Sequence, residues 1–441
     1  MKKLILLVLI FGVNLTIVRA QDDNLQGLFD SVFPEMPAMG IEMVINTDSE
    51  VENDMLFIPE SWDVNLDSLM NSWHVQHYVD RSQHYGYREA VIASDSVYVE
   101  RLSRLNNIME LPYNEIVRRC IDLYVDRRRN TVEYMLGLER FYFPMIEQAL
   151  DENNLPHELK YLAVVESALN PVAVSRAGAT GLWQFMLATG KQYGLEINSL
   201  VDERRDPLKA TYAACEYFKD MYRIYGDWTL VIAAYNCGPG NVNKAIRRAG
   251  GSRDYWKIYP FLPRETRSYV PLFIAATYVM NYYAYHHLSP VQTSLPIATD
   301  TIMVNEEIHF DQIAAVLNID QAMLRALNPQ YKRDIVPGNS KPRAIKLPAI
   351  QASAFVELQD SIVQHRRDEL FTNRTYVATT SGPATTSTAS GNYANYRVRS
   401  GDSFYTIAKR FPGYSHNDLM RINNMRNHRL RVGQIIKVPN V

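Results

Sequence analysis

The chain has 441 residues, of which 47% are hydrophobic, and this is enough apolar material for the cores of two or three domains. Its formal net charge of −2 gives no indication of a nucleic-acid partner. Only three cysteines are present, and an odd, sparse set argues against a disulfide framework. We expect buried free thiols, with one bridge left open as an alternative.

The first 20 residues have the pattern of a signal peptide. Two lysines follow Met1, an apolar run extends from Leu4 to Val13, and Val18-Arg19-Ala20 offers a cleavage site after Ala20. Asn14 interrupts an apolar run that is short for a membrane span. No cysteine lies near residue 20 to carry a lipid. We therefore expect an exported, periplasmic or cell-envelope protein without a transmembrane anchor in its mature chain.

Shifts in composition predict the domain organisation of the remaining residues. The predicted segments are an irregular N-terminal segment at 21–95, a helical extension at 96–149, a mainly helical domain at 150–290, a small module at 300–349, a helical connector at 350–377, a Thr/Ser-rich linker at 378–393 and a second small module at 394–441. The linker composition is typical of a flexible tether.

A helix that begins near Pro156 is predicted to carry one carboxyl group on its apolar face. Leu159, Leu162, Ala163 and Glu166 follow the i, i+3, i+4, i+7 spacing of one helix face. The helix must end before Pro171, because the residue that precedes a proline is disfavoured in the α region. Glu166 then lies in the last helical turn, where burial and the helix dipole both raise a carboxyl pKa. A carboxyl that is neutral near pH 7 can act as a general acid.

A turn with two glycines follows this helix and leads into an aromatic and amide cluster. Gly178 and Gly181 allow the backbone to approach a ligand closely. Gln184 can form hydrogen bonds with a ligand, and Met186 can contact it. Trp183 and Phe185 fit core packing better. Further along the chain, Asp206 and Asp227 are predicted helix caps, Gly226 is a predicted helix stop, and Pro263 opens a long helix.

The C-terminal third contains a weak internal repeat. Ile313-Ala314, Leu324 to Asn328 and Ala344 to Pro348 recur in outline as Ile407-Ala408, Leu419 to Asn423 and Ile435 to Pro439. Each copy has the order strand, helix, helix, strand. The first copy lacks the Ser-Gly-Asp turn found at residues 400–402, so we expect a degenerate module that serves only as a spacer.

Four ordered blocks now make the chain recognisable. They are ESALNP with GATGLWQFM, VDERRDPLKAT, AAYNCGPG and LPRETRSYVP. Together they resemble the catalytic domain of soluble lytic transglycosylases, within the group of membrane-bound lytic murein transglycosylase D. The second C-terminal copy resembles a LysM domain, a module that binds glycans containing N-acetylglucosamine. The implied fold is α+β and multidomain, with a mainly helical lysozyme-like catalytic domain followed by small βααβ LysM-type modules.

The resemblance also implies roles for individual residues. It makes Glu166 the catalytic acid. The implied cleft residues are Ser167, Gln184, Met186, Tyr235, Asn236, Glu265, Thr266 and Tyr269. The implied glycan contacts of the LysM domain are Gly401, Asp402, Ser403, Asn423, Gly433 and Gln434. No cofactor or metal is expected, since the ten histidines show no ligand spacing.

A second catalytic carboxylate, which most glycosidases need, is not evident. Asp206, Asp227 and the pair Asp202-Glu203 have structural explanations as helix caps or as partners of Arg204-Arg205, and only Glu265 lies within a family block. Lytic transglycosylases need no second carboxylate, because a C6 hydroxyl of the substrate closes on C1. The implied partner is therefore the glycan strand of peptidoglycan, cleaved between MurNAc and GlcNAc in cell-wall turnover.

Two other function classes remain open from the sequence. One is a lysozyme-like or chitinase-like hydrolase on the same scaffold, in which water takes the place of the C6 hydroxyl. The other is a glycan-binding scaffold without activity. The intact Glu166 and the four blocks count against the second alternative, whereas the sequence does not decide which nucleophile reaches C1.

Overall fold

The computed structural model describes residues 56–58, 89–293 and 295–371, and in the C-terminal part 393–398, 402–408, 410–411, 414, 416–423, 425, 430 and 434–439. The predicted signal peptide, most of the predicted N-terminal segment and nearly all of the predicted linker lie outside these residues. The chain forms two compact units, Met1–Thr372 and Asn373–Val441. Within the described residues, no helix is long and apolar enough to span a lipid bilayer.

The first unit begins with a helical domain that contains the four sequence blocks described above. Its α-helices are α1 (Asp95–Arg104), α2 (Glu115–Asp122), α3 (Arg129–Glu152), α4 (Lys160–Ser167), α5 (Leu187–Gln192), α6 (Pro207–Tyr225), α7 (Trp228–Cys237), α8 (Pro239–Arg248), α9 (Tyr255–Ile258) and α10 (Arg264–Tyr282). A π-helical turn at Leu123–Arg127 and 3-10 turns at His157–Leu159, Tyr259–Phe261 and Tyr283–His286 connect them.

The boundaries of α6 and α7 follow from side chains that satisfy the free amides of a helix start. Asp206 accepts hydrogen bonds from the amides of Leu208 and Lys209, and Asp227 accepts one from Leu230. Gly226 ends α6 with a φ of 61°, a left-handed conformation that glycine adopts without strain. The predicted caps and the predicted stop are therefore confirmed.

One hydrophobic core extends from α1 to the segment after α10. Cys120, Cys215 and Cys237 are all buried free thiols. Helix α3 runs without a break across residues 149 and 150, so no structural discontinuity marks the domain boundary predicted there. Leu56 and Ile58 also pack against this core, and the Phe57 amide between them donates to Ser268 Oγ of α10 at 3.0 Å.

A small module with a second core completes the first unit. Its elements are β1 (Thr299–Val304), β2 (Glu307–His309), α11 (Phe310–Leu317), α12 (Gln321–Leu327), β3 (Ile335–Pro337), β4 (Arg343–Pro348), α13 (Ala349–Gln364) and α14 (Arg367–Phe371), with a 3-10 turn at Lys332–Asp334. Strands β1 and β4 pair antiparallel with Val304 opposite Arg343, and β2 pairs antiparallel with β3. Helix α13 packs into the same core through Ala352, Phe355 and Ile362.

The second unit repeats the central part of that module. Its described elements are β5 (Tyr393–Arg397), α15 (Phe404–Ala408), α16 (His416–Ile422) and β6 (Ile435–Pro439). Strands β5 and β6 pair antiparallel, with Tyr396 opposite Ile436. Phe404, Ile407 and Leu419 belong to its core. The strand-helix-helix-strand order predicted for both copies is therefore present.

Candidate active site

Glu166 lies in the last turn of α4 and is only 4% exposed. The helix ends at Ser167 because Ala168 and Leu169 adopt left-handed conformations, with φ of 51° and 61°. The predicted stop before Pro171 is thus confirmed. The predicted single apolar stripe is not what is found, since every residue from Tyr161 to Ser167 is buried. Helix α4 passes through the core with protein on all sides.

The electrostatics of Glu166 suit a proton donor. Burial raises the pKa of its carboxyl from 4.5 to about 8, because the surrounding protein disfavours the charged form. The Tyr269 hydroxyl, on α10, donates a hydrogen bond to Glu166 Oε1 and lowers this pKa in part. Glu166 is therefore mostly protonated at neutral pH, and its proton can be delivered to a leaving-group oxygen.

The loop that follows α4 is held in shape by its own backbone. The Thr180 and Phe185 amides each donate to the other residue's carbonyl at 3.1 Å. Gly181 has a φ of 91°, and a Cβ built there would lie 1.8 Å from the carbonyl oxygen of Arg204. No residue with a side chain fits at that position without movement of the loop.

The loop is also fastened directly to the helix that carries the acid. Ser167 is fully buried, and its Oγ donates to the Leu182 carbonyl at 2.9 Å. The Tyr235 hydroxyl, on α7, donates to the Trp183 carbonyl at 2.8 Å. Ser167 and Tyr235, both predicted to line the cleft, therefore fix the position of the loop relative to Glu166.

The remaining predicted cleft residues form two groups. Gln184 and Met186 lie on the loop or just after it, and Asn236, Glu265 and Thr266 lie at the ends of α7 and α10. Gln184 is buried, and its Nε2 donates to the Gly181 carbonyl at 2.8 Å, so its amide supports the loop. Met186 is half-buried at the start of α5. Thr266 Oγ1 donates to Asn236 Oδ1 at 2.8 Å, which joins α10 to the end of α7, and Glu265 is half-buried in the first turn of α10.

Trp183 and Phe185 have the core positions that the sequence predicts. Both are fully buried, and the Trp183 indole Nε1 donates to Thr211 Oγ1 at 2.9 Å. The Trp183 ring packs edge-on against Phe218, with 5.7 Å between centroids. These two aromatic side chains support the loop from the protein interior.

The acidic residues considered as a second catalytic carboxylate mostly have structural partners. Asp206 and Asp227 each accept hydrogen bonds from helix amides. Asp254, a further acidic residue of this domain, caps α9 by accepting from the Trp256 amide. Asp202 pairs with Arg204 at 2.8 Å, as predicted. The prediction that Glu203 pairs with the neighbouring arginines is wrong. Glu203 pairs with Lys209, and it lies 3.8 Å from Arg343, which is 140 positions further along the chain.

The described LysM candidates in the second unit have structural contacts of their own. Asp402 accepts a hydrogen bond from the Tyr396 hydroxyl at 2.8 Å, and Ser403 Oγ accepts one from the Thr406 amide at 3.2 Å. The Asn423 amide bonds to the Leu419 and Lys437 backbone. The Gln434 carbonyl accepts from the Val398 amide at 2.8 Å. Gly401 and Gly433 lie outside the described residues, and glycan contact by all six stays a prediction.

Arg204 is the residue near this site whose role the sequence did not reveal. The sequence suggested only a partner for a neighbouring acid. The structure shows its guanidinium, 9% exposed, donating to the carbonyls of Gly178 at 2.9 Å and Phe185 at 3.1 Å. Its place within the block VDERRDPLKAT was the available signal, but the carbonyls it binds are 19 and 26 residues away.

The family models that match this chain have the same order as its domains. The family model "Transglycosylase SLT domain" matches residues 143–258, "Lytic transglycosylase MltD, LysM-like domain" matches 298–364, and "LysM domain" matches 396–439. The crystal structure of the 70 kDa soluble lytic transglycosylase SLT70 from Escherichia coli aligns with 28% identity and a TM-score of 0.28, over 33% of this chain and 24% of that chain.

Curated relatives point to the same group of proteins. Membrane-bound lytic murein transglycosylase D of Escherichia coli (strain K12) is 29% identical over 334 residues, which are 75% of this chain and 70% of that protein. Soluble lytic murein transglycosylase of the same organism is 32% identical over 115 residues, 25% of this chain and 18% of that protein. The predicted fold class, a mainly helical lysozyme-like domain with small LysM-type modules, is confirmed. The chain therefore carries a transglycosylase SLT domain followed by two modules of LysM type, and over 75% of its length it is similar to membrane-bound lytic murein transglycosylase D of Escherichia coli.

Proposed function

We propose that this protein is a peptidoglycan lytic transglycosylase, which cleaves the MurNAc-β-1,4-GlcNAc bond without water and leaves 1,6-anhydroMurNAc ends. The observation that carries the proposal is the buried Glu166, with a pKa of about 8, at the end of a helix inside an SLT domain. The named activity of the curated relatives supports the same chemistry.

In this mechanism, Glu166 acts first as an acid and then as a base. Its carboxyl donates a proton to the glycosidic oxygen, the bond from that oxygen to MurNAc C1 breaks, and positive charge develops at C1. The Glu166 carboxylate then takes the proton of the MurNAc C6 hydroxyl as that oxygen bonds to C1. The proton returns to Glu166, and no water is consumed.

The cleft residues take supporting roles in the proposal. Tyr269 orients the Glu166 carboxyl through its hydrogen bond. Ser167 and Tyr235 hold the loop 178–185 beside the acid. The remaining proposed substrate contacts lie on this loop, at the start of α5 or at the ends of α7 and α10; they are Gln184, Met186, Asn236, Glu265 and Thr266.

The products of wild-type protein test the proposal against a hydrolase. Purified sacculi are digested, and the released muropeptides are analysed by mass spectrometry beside a lysozyme digest. We expect products that are lighter by one water than the lysozyme products and that have no reducing end. Products with mainly reducing MurNAc ends would place the protein among hydrolases, and the absence of any product would favour a binding scaffold.

We also propose that the protein is exported and acts in the periplasm or cell envelope, after cleavage of a signal peptide at Ala20. The name of the type D relatives, which describes them as membrane-bound murein enzymes, supports the envelope location. N-terminal sequencing of protein recovered from the envelope fraction tests the cleavage site. A mature chain that begins at Gln21 is expected.

The LysM domain at 396–439 supplies retention on the polymer in this proposal. A glycan-binding module on a tether raises the concentration of the catalytic domain at its substrate. Truncation after Thr375 should weaken retention in a sacculus pull-down and should leave the cleavage of short soluble glycan strands unchanged. Equal retention of truncated and full-length protein would assign the anchoring to the first unit.

A further inference from the structure

The first LysM-type module is joined to the catalytic domain by backbone pairing. The Asp202 amide donates to the Gln330 carbonyl at 2.9 Å, and the Lys332 amide donates to the Leu200 carbonyl at 2.7 Å. Val201 and Tyr331 form the bridge between these two bonds, and both side chains belong to the core of the module. The segment that precedes α6 is thus part of two structures, the catalytic domain and the module.

A partly buried ion-pair cluster reinforces this junction. Arg343, at the start of β4 and 5% exposed, donates from both terminal nitrogens to Glu196, at 2.9 and 2.7 Å. The same guanidinium lies 3.8 Å from Glu203, and Lys341 reaches Glu196 at 2.6 Å. The Arg343 hydrogen bonds are the main reason why the pKa of Glu196 falls to about 2. Such planar, bidentate pairing fixes orientation as well as distance.

From the junction, a short series of contacts leads to the catalytic loop. The Asp202 carboxylate binds the Arg204 guanidinium through two hydrogen bonds of 3.0 and 2.8 Å. Arg204 in turn donates to the carbonyls of Gly178 and Phe185, at the two ends of the loop 178–185. The opposite side of that loop holds Ser167, the residue next to the acid, through the Leu182 carbonyl.

We propose that the first LysM-type module is a positioning element of the active site, and that Arg343 is the positioning residue through which it acts. Arg343 holds the segment 196–203, the Asp202–Arg204 pair transmits that position to the loop 178–185, and the loop sets the surroundings of Glu166. This assignment differs from the spacer role expected from the sequence. This inference rests on the proposed function only because one of the experiments that test it measures turnover.

The test compares Arg343→Met with a matched control in the full-length protein. Arg325 also forms a bidentate pair, with Asp334 at 2.8 and 2.7 Å, but that pair lies within the module and 45% of the Arg325 side chain is exposed. Arg325→Ala is therefore expected to have no effect on turnover. For Arg343→Met, we expect kcat on short soluble glycan strands to fall about tenfold, because small displacements of catalytic groups are costly. KM should change by less than about twofold.

Two further readouts separate positioning from general destabilisation. Amide hydrogen exchange of residues 178–186 should be faster in Arg343→Met and unchanged in Arg325→Ala, at a temperature at which both are folded. Arg343→Lys should restore part of kcat, since an ammonium can still pair with one carboxylate. If Arg343→Met does not fold, Glu196→Gln replaces it, because Glu196 is 27% exposed and the amide keeps its shape.

The outcomes are distinguishable from those of the proposed function. Wild-type kcat together with unchanged exchange in folded Arg343→Met or Glu196→Gln would overturn the inference and leave the function intact. Wild-type protein that yields no anhydro product would overturn the proposed function, and the exchange experiment would still test the coupling between the module and the loop.

Discussion

The two LysM-type modules share one internal design. In the first, the Asn328 amide donates to the Leu324 and Lys346 carbonyls and accepts from the Lys346 amide, at 2.9, 2.8 and 2.7 Å. In the second, Asn423 makes the same three bonds with Leu419 and Lys437, at 2.8, 2.8 and 2.6 Å. One asparagine therefore joins the second helix to the last strand in both copies.

The modules differ in what surrounds this shared design. The register that equates Lys346 with Lys437 places Gln434 at the position of Arg343. Arg343 binds two glutamates of the catalytic domain, whereas the neutral Gln434 lies in a separate compact unit. The position at the start of the last strand is therefore an arginine in the module that pairs with the catalytic domain and a neutral glutamine in the other module. Similarity between the repeats thus predicts the fold of a module and does not predict its role.

Glu166→Gln should have the largest effect on turnover, and it tests whether catalysis depends on the first unit alone. Glu166→Gln cannot deliver a proton, so turnover should fall by about a thousandfold or more. Sacculus retention and the circular-dichroism spectrum should match those of wild type, because the second unit is unchanged and an amide fits the neutral site. Substantial lysis of sacculi by the folded variant would refute the assignment of Glu166.

The pH dependence of turnover sharpens the same assignment. With a Glu166 pKa of about 8, kcat/KM should decline at higher pH, by about tenfold per pH unit, because the acid form is required. Tyr269→Phe removes the hydrogen bond that lowers this pKa, so the decline should move to higher pH. A decline centred near pH 4 to 5 in wild type would contradict a buried acid.

Glu166 should make the first unit less stable as the pH rises. A salt-bridged carboxylate, whose pKa is lowered by folding, has the opposite effect. The pKa of Glu166 is higher in the folded protein, at about 8, than its ordinary 4.5. Its favourable contribution is complete below pH 4.5 and is lost as the pH rises to about 8. Calorimetry should therefore show Glu166→Gln gaining stability relative to wild type between pH 5 and 8. A constant difference would argue against the raised pKa.

Substitution of a glycine in the loop 178–185 should have a smaller effect, on the stability of the first unit. Gly181→Ala would place a Cβ against the Arg204 carbonyl, whereas Gly178→Ala meets nothing within 4 Å. Both residues have positive φ, 91° and 85°, so the backbone cost of about 1–2 kcal/mol is common to both. Gly181→Ala should destabilise the first unit by about 3–4 kcal/mol in total. Equal melting temperatures for the two variants would mean that Arg204 does not confine the loop.

Substitution of the equivalent asparagines Asn328 and Asn423 compares the two modules directly and should have the smallest effect. Asn328→Ala and Asn423→Ala each remove the same three hydrogen bonds and should destabilise their modules by about 2–3 kcal/mol. Only Asn328→Ala is expected also to reduce turnover on soluble strands, because the first module pairs with the segment 196–203 of the catalytic domain. Reduced turnover in Asn423→Ala would erase the functional distinction between the copies.

Local signals in the sequence predicted the boundaries of α4, α6 and α7 and the position of Glu166 within its helix, while the catalytic role proposed for Glu166 came from the family resemblance. The caps Asp206 and Asp227 and the stop Gly226 act within a few residues of their own positions, so they can be read without a fold. Glu166 could be placed in the last turn of a helix for the same reason, since Pro171 limits how far that helix can extend.

Only the tertiary structure decided which distant groups meet. Tyr269 binds Glu166 across 103 residues of chain, and Arg343 binds Glu196 across 147. Charge pairing is not specific in sequence: Glu203 has two adjacent arginines and instead pairs with Lys209 and lies near Arg343. The choice among such partners depends on which side chains the packed cores bring together and on how much water they exclude. The sequence of the first module therefore did not predict its positioning role, whereas Glu166 could be singled out from the sequence.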